Sequence, residues 1–425
     1  MFFEWVAPTG RSEARARAAL RRNGAIELPE AELRRLGAEG TTLDAVRVPG
    51  GLTLLSPDLS PQKIYVELTT ECNRDCAMCL HRSAEEPGGR MAAATFEAIV
   101  GQLAGLPSVP TLNFSGFGEP MAHPLFFPFL ALAKKAGCAV EAVTNGTLLS
   151  REAAEWLIEA GLDKLVVSVD GLRPDSSRLL HAGAFPQVEA SLRMLSHLRV
   201  ARNAAHPEVA IEFVATKRNV AELPELKRLA PQLGFTSILV TNLVPYTAEL
   251  AGETLYDRWT TPSPSQGPSP WDPCVDLPQM DAHSEASAAI ERLLDSGTHL
   301  RLNGAELAGA PPRCRFVTEG RLAIGWDGSV SPCLPLMHSH TCYFRGRRKR
   351  VRRYTVGNVT ETPLRELWDG EAYRAFRARV RSFEFAPCIS CGGCELRDSN
   401  EEDCYGDAFP RCGECLWAAG LVQCP

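Results

Sequence analysis

Between residues 63 and 241 short apolar, β-branched runs alternate with longer stretches whose apolar positions recur at helical spacing. The runs are residues 63–68 (KIYVEL), 111–115 (TLNFS), 139–144 (AVEAVT), 164–169 (KLVVSV), 209–215 (VAIEFVA) and 237–241 (SILVT). Near-continuous apolar character suits strands covered on both faces, so each run predicts a parallel strand. After the first run, Phe96, Ile99, Val100 and Leu103 fall at i, i+3, i+4 and i+7, and after the fifth Val220, Leu223, Leu226 and Leu229 recur similarly. Such spacing gathers an apolar stripe on one helix face. Three helices end shortly before the next strand at Gly137, Gly161 and Gly234, where glycine lets the backbone turn left-handed and re-enter the sheet. This cadence predicts an α/β fold, a partial (β/α)6 TIM-like barrel over residues 61–250.

In a parallel barrel the chemistry sits where the strands end. Here the first strand runs into Cys72, Cys76 and Cys79, the second into Gly116-Phe117-Gly118-Glu119-Pro120, and the third into Thr144-Asn145-Gly146. The fourth runs into Ser168-Val169-Asp170-Gly171 and the fifth into Lys217-Arg218-Asn219. Any one of these is explained as a turn, but together with three thiols on one rim they suggest a site. A tetrahedral zinc or four-thiolate iron site takes four protein ligands, so the group C-x3-C-x2-C suggests a metal centre with one position left open.

Composition narrows the setting. The chain has 425 residues, 45% of them hydrophobic, enough for a large core and more than one module. No apolar run is long enough to span a bilayer and the first residues lack a secretory pattern, so a cytoplasmic protein without a membrane partner is expected. A formal charge of −6 gives no global attraction for nucleic acid. Of 15 cysteines, ten lie between Cys314 and Cys424 with CxxC spacings, which in a reducing compartment read as metal ligands rather than disulfides. Cys138, just before the third strand, reads as a core residue.

The spacing Cys72-x3-Cys76-x2-Cys79 followed by GFGEP after the second strand resembles the radical S-adenosylmethionine (SAM) superfamily. The resemblance implies a [4Fe–4S] cluster on those three cysteines whose fourth iron binds SAM, reductive cleavage of SAM to a 5′-deoxyadenosyl radical, and hydrogen-atom abstraction from a substrate. It implies also that Gly116, Gly118 and Glu119 bind the methionine end of SAM, and that Asn145, Ser168 and Asp170 bind its carboxylate and ribose. Many members carry an aromatic residue before the third cysteine; this chain has Met78, which can pack against adenine.

Downstream, Cys314-x13-Gly328-x4-Cys333 precedes Cys342, the segment GNVTETPLRELW, and then Cys388-x2-Cys391-x2-Cys394-x9-Cys404-x7-Cys412-x2-Cys415-x8-Cys424. This order resembles the SPASM extension of radical SAM enzymes, implying two auxiliary [4Fe–4S] clusters and three clusters in all. The spacing departs from the common SPASM rhythm, and two of the ten thiols are surplus, Cys342 being one candidate. The last forty or so residues resemble the maturases of tungsten-cofactor oxidoreductases. That implies a protein or peptide client, such as a tungstopterin oxidoreductase, and a low-potential electron donor such as ferredoxin or flavodoxin. Two alternatives stand beside this reading: a peptide-modifying SPASM enzyme, and a zinc-ribbon protein binding nucleic acid.

The remaining segments are less specific. Residues 345–353 (RGRRKRVRR) are either an exposed solvated loop or a place to hold phosphate, an acidic partner or RNA. Residues 11–24 suggest a basic amphipathic helix in an accessory unit, 1–60, which ends in an alternating segment. A linker or active-site loop rich in proline and serine falls in 251–310, and 311–425 forms the cysteine-rich C-terminal domain.

Overall fold

In the computed structural model the six apolar runs are β1 (Lys63–Val66), β2 (Thr111–Phe114), β3 (Val140–Thr144), β4 (Lys164–Ser168), β5 (Glu208–Ala215) and β6 (Ser237–Asn242). Each pairs in parallel with the next in chain order. The structure describes residues 60–173, 184–256, 313–389, 391 and 394–425, together with short backbone elements elsewhere. The connecting helices are α1 (Ala93–Leu103), α2 (Phe126–Lys135), α3 (Arg151–Glu159), α4 (Phe185–Ala201) and α5 (Leu223–Leu233).

One residue in two on the strands meets these helices: Ile64, Val66, Leu112, Phe114, Ile211 and Phe213 share one core with Phe96, Phe129 and Leu192. Phe96 of α1 stacks on Phe129 of α2 with ring centres 4.2 Å apart. Each such fully buried side chain stabilises the fold by roughly 1.5–3 kcal/mol. By the same alternation the intervening positions, Tyr65, Glu67, Asn113, Glu141, Ser168 and Glu212, face the barrel interior.

The cysteine-rich segment extends this same sheet. β7 (Arg321–Ile324) pairs in parallel with β1, from Arg321↔Lys63 to Ile324↔Val66. β8 (Ser329–Ser331) follows antiparallel, then the hairpin of β9 (His340–Phe344) and β10 (Arg347–Val351), and β11 (Gly357–Asn358) closes a nine-stranded sheet beside β8. At the other edge, Asn242 Nδ2 donates to Leu421 O at 2.8 Å and Gln423 N donates to Thr241 Oγ1 at 2.8 Å. Two residues on, Pro425 O accepts from Tyr65 Oη of β1 at 2.6 Å. A tail that touches β6 and β1 within a few residues requires the six-strand run to curl.

Residues Met1–Ser60 are one compact unit and Pro61–Pro425 another. In the first, Phe2–Trp5 pairs antiparallel with Ala16–Leu20, which pairs with Ile26–Glu27, and Asp44–Val48 pairs with Gly51–Leu55. The helix expected over 11–24 is therefore corrected at residues 16–20, which form a strand. A short isolated helix is marginal in water, and the aromatic Phe2–Trp5 segment offers it a β partner instead. The proline-rich stretch 257–273 lies outside the described residues. Among the described residues no helix is long and apolar enough to cross a membrane.

Candidate active site

Beyond β1 the buried residues Glu67–Thr70 lead into the cysteine loop, with Cys72 exposed and Cys76 and Cys79 half-buried. Cys79 N donates to Cys76 O at 3.1 Å, closing the turn. Met78 turns inward to pack with Leu243 and Leu250, just past β6, and Tyr246 Oη donates to Ala77 O. The loop is thus held across the barrel mouth. Burial first, and then the neighbouring Cys76 and Cys72, push the Cys79 thiol up to about 11; Cys72 is raised by burial, Glu119 and Cys76. Thiols whose ionisation is opposed in this way need a positive centre to become thiolates together, and a bound metal supplies it. The donor set fits a three-cysteine iron–sulfur site.

GFGEP sits directly against this loop. A Cβ on Gly116 would lie 2.5 Å from Glu67 Cγ, and one on Gly118 would lie 2.3 Å from Thr69 O, so both positions exclude a side chain. Glu119 N donates to Glu71 O at 2.9 Å. The buried Glu119 carboxylate accepts from Met121 N at 3.0 Å, Thr144 Oγ1 at 2.8 Å and Asn145 N at 2.8 Å. Asn145 Nδ2 in turn donates to Asn73 Oδ1 at 2.9 Å and lies 3.9 Å from Cys72 Sγ. Cysteine loop, second-strand turn and third-strand end are one hydrogen-bonded assembly.

Ser168 and Asp170 end β4 near the same rim. Asp170 is buried, its Oδ1 accepts from Val214 N at 3.1 Å, and its charge bears on Cys79. Ser168 Oγ donates at 3.4 Å to Glu212 on β5, a residue that sequence reasoning passed over. Its signal was an acid within the apolar run VAIEFVA, at an inward position. Burial, then Asp170, push the Glu212 carboxyl up to about 7. Because that value lies above the unfolded one, near 4.3, Glu212 contributes stability that is complete below about pH 4 and is lost as pH rises through about 7. Glu212→Gln is therefore expected to melt higher than the parent at about pH 8, with the gap shrinking toward about pH 5; thermal unfolding at both values checks it, and a pH-independent gap contradicts it.

The C-terminal thiols fall into groups. Cys314, Cys333, Cys412 and Cys415 line one small cavity, walled by Phe316, Phe376 and Trp417. Burial pushes Cys314 up to about 12 and raises Cys333, Cys412 and Cys415 as well, neighbouring thiols adding to the shifts of Cys314, Cys333 and Cys412. Among the described residues no three His, Cys, Asp or Glu side chains close on a single-ion site. Cys388 accepts from Arg411 Nη1 at 3.4 Å and is raised by burial, with Cys404 among its neighbours, while Cys391, Cys394 and Cys404 are exposed. Cys342 lines an adjoining cavity with Cys333, Cys412 and Cys415, and Cys424 packs with Cys314 and Cys333 against the cluster of Tyr65, Phe316 and Met337. Cys342 is buried beside Lys349 and Glu414. Cys424 accepts from Trp417 Nε1 at 3.1 Å and is raised by burial and by Glu212. Cys138 is buried in the core near α2.

The basic run is not a free loop, which corrects that sequence reading. It forms β10 and its flanks, and five of its seven cations meet acids of the same chain: Arg347 with Asp398 (2.8 Å), Lys349 with Glu414 (2.9 Å), Arg350 with Glu85 (2.6 Å), Arg352 with Glu401 (2.5 Å) and Arg353 with Asp327 (2.9 Å). Glu414 also takes Arg397 at 2.7 Å, so a buried acid sits between two cations. Exposed pairs of this kind add little stability.

Known proteins match this arrangement. Residues 66–213 match the radical SAM superfamily model, and residues 314–395 match SPASM, an iron–sulfur cluster-binding domain. The chain is 32% identical over 367 residues to the tungsten-containing aldehyde ferredoxin oxidoreductase cofactor-modifying protein of Pyrococcus furiosus, covering 85% of this chain and 96% of that one. It is 26% identical to the AdoMet-dependent heme synthase of Methanosarcina barkeri, over 83% and 96% of the two chains. In fold it is similar to Streptococcus suis SuiB bound to S-adenosylmethionine, with a TM-score of 0.50 and 15% identity over 85% of this chain and 73% of that one. A three-cysteine loop at the mouth of a curled parallel sheet, a second cysteine-rich module and these matches place the chain in the radical SAM superfamily, among its SPASM-bearing enzymes.

Proposed function

We propose that this radical SAM enzyme is a maturase that modifies a protein-bound cofactor, its client a tungsten-containing oxidoreductase of the aldehyde:ferredoxin type. The observation that carries the client is the 32% identity running through 96% of the Pyrococcus furiosus cofactor-modifying protein. In this reading Cys72, Cys76 and Cys79 hold the radical-generating cluster, which when bound supplies the electron that cleaves SAM. Gly116, Gly118 and Glu119 hold the methionine end of SAM; Asn145, Ser168 and Asp170 hold its carboxylate and ribose, and Met78 backs the adenine from its apolar cluster. Cys314, Cys333, Cys412 and Cys415 hold one auxiliary cluster and Cys388, Cys391, Cys394 and Cys404 a second, leaving Cys342 and Cys424 unligated. The cytoplasm, where thiols stay reduced, suits such a protein, and a ferredoxin- or flavodoxin-like donor would reduce it.

A peptide client is the second reading, supported by 31% identity over 184 residues to the PqqA peptide cyclase of Gluconobacter oxydans. Anaerobically purified protein is expected to carry about twelve irons on the four-iron model and to form 5′-deoxyadenosine from SAM and a strong reductant. Added tungstopterin oxidoreductase should change its cofactor in a SAM-dependent way. Modification of a short peptide alone would favour the second reading, and zinc in place of iron would overturn both.

A further inference from the structure

The second module reaches into the barrel rim through one short segment. Cys333 is followed by a single 3₁₀ turn, Leu334–Leu336, and then by Met337, His338, Ser339 and His340, all buried. His338 Nε2 donates to Glu67 Oε2 at 2.8 Å, and the other oxygen of the same carboxylate, Oε1, accepts from Phe117 N at 2.9 Å. Phe117 is the second residue of GFGEP, and its ring covers the His338 ring with centres 4.8 Å apart. Glu67 also fills the space that a side chain on Gly116 would need. The turn therefore rests on Glu67 through both packing and a hydrogen bond, and Glu67 is steered by a histidine from the second module.

The same segment grips the far side of the cysteine loop. Ser339 N donates to Glu86 Oε2 at 2.7 Å, Glu85 N donates to Ser339 O at 2.9 Å, and Ala84 forms a β-bridge with His340. His340 is held neutral by burial, its pKa pushed down to about 4, and its Nδ1 donates to His338 O at 3.0 Å. Glu86 lies 3.7 Å from His338 Nδ1. With His340 fixing its backbone and carboxylates on both ring nitrogens, His338 has one orientation available.

We propose that His338 is a positioning residue for SAM binding: acting through Glu67, it sets the backbone of the GFGEP turn, so that the rim accepts SAM only with the second module seated. This rests on reading GFGEP as the SAM-binding turn. A buried hydrogen bond to a charged partner is worth enough that its loss shifts an equilibrium about tenfold or more.

The test compares holoenzyme with H338A and H338Q, all carrying clusters and checked for iron. H338A is expected to raise the KM for SAM in 5′-deoxyadenosine formation about tenfold, with kcat within about threefold. The SAM dissociation constant from anaerobic equilibrium dialysis should rise in parallel, and amide hydrogen exchange at Phe117 should accelerate. H338Q, which keeps an N–H toward Glu67, should recover most of both effects. Unchanged KM and unchanged Phe117 exchange in iron-replete H338A would overturn the proposal. If H338A loses iron, E67Q decides instead: it keeps an acceptor for Phe117 N but weakens the grip of His338, and an unchanged SAM affinity there counts against the proposal. Parent enzyme that neither binds nor cleaves SAM would refute the radical reading alone, because Phe117 exchange still reports whether His338 holds the turn.

Discussion

Cys76→Ala is expected to abolish 5′-deoxyadenosine formation and to lower bound iron from about twelve to about eight per chain. Cys76 lies between the exposed Cys72 and the half-buried Cys79, and its thiol raises the pKa of both. No fourth cysteine lies in this loop to replace it, so two thiols would remain for a cluster that already has one iron without a protein ligand. Loss of the whole cluster is the expected outcome, rather than a weakened one. Stability should change little, since the loop's anchors are Met78 in its apolar cluster and the Tyr246 hydrogen bond to Ala77. Iron analysis, the electron paramagnetic resonance of the reduced protein with and without SAM, and product chromatography check this together. Full SAM cleavage by Cys76→Ala would remove the radical site from this loop.

The second large effect separates the auxiliary ligands from the surplus thiols. Cys415→Ala is expected to lose about four irons while still cleaving SAM, and to lose modification of the client. Cys415 lines the same cavity as Cys314, Cys333 and Cys412, and burial raises all four thiols. Cys342→Ser and Cys424→Ser should keep the full iron content, because Cys342 lies beside Lys349 and Glu414 and Cys424 pairs with Trp417. A loss of iron in Cys342→Ser with none in Cys314→Ser would exchange those two assignments. Both results are read by iron and sulfide analysis on protein purified without oxygen.

Much of this could be read from the sequence because it is local. The six barrel strands start and stop within about two residues of the apolar runs, since a parallel strand covered on both faces has little choice of composition. The rim turns were legible because glycine, asparagine and aspartate cluster there beside the thiols. What escaped depends on partners distant in sequence. Glu67 is one polar residue within the first apolar run, and its partner His338 lies 271 positions away. The charges of the basic run gave no sign of their partners because Glu85, Asp398 and Glu401, which meet Arg350, Arg347 and Arg352, belong to other segments. Residues 16–20 followed a strand partner at the chain's start rather than their own alanine-rich propensity. The resemblance supplied the cluster chemistry, but the grouping of the C-terminal thiols required the fold, because the spacing departs from the common rhythm.

The pairing of β7 on β1 sets an order of events during synthesis. Tyr65 and Arg321 meet across 256 positions, so the first barrel strand emerges from the ribosome long before its outer neighbour exists. Until residue 324 is made, one side of β1 presents unpaired backbone groups flanked by Ile64 and Val66, an edge prone to pairing with other chains. A shortened chain that stops before β7 keeps that edge open permanently. A separately expressed barrel is therefore expected to be an aggregation hazard rather than a minimal enzyme.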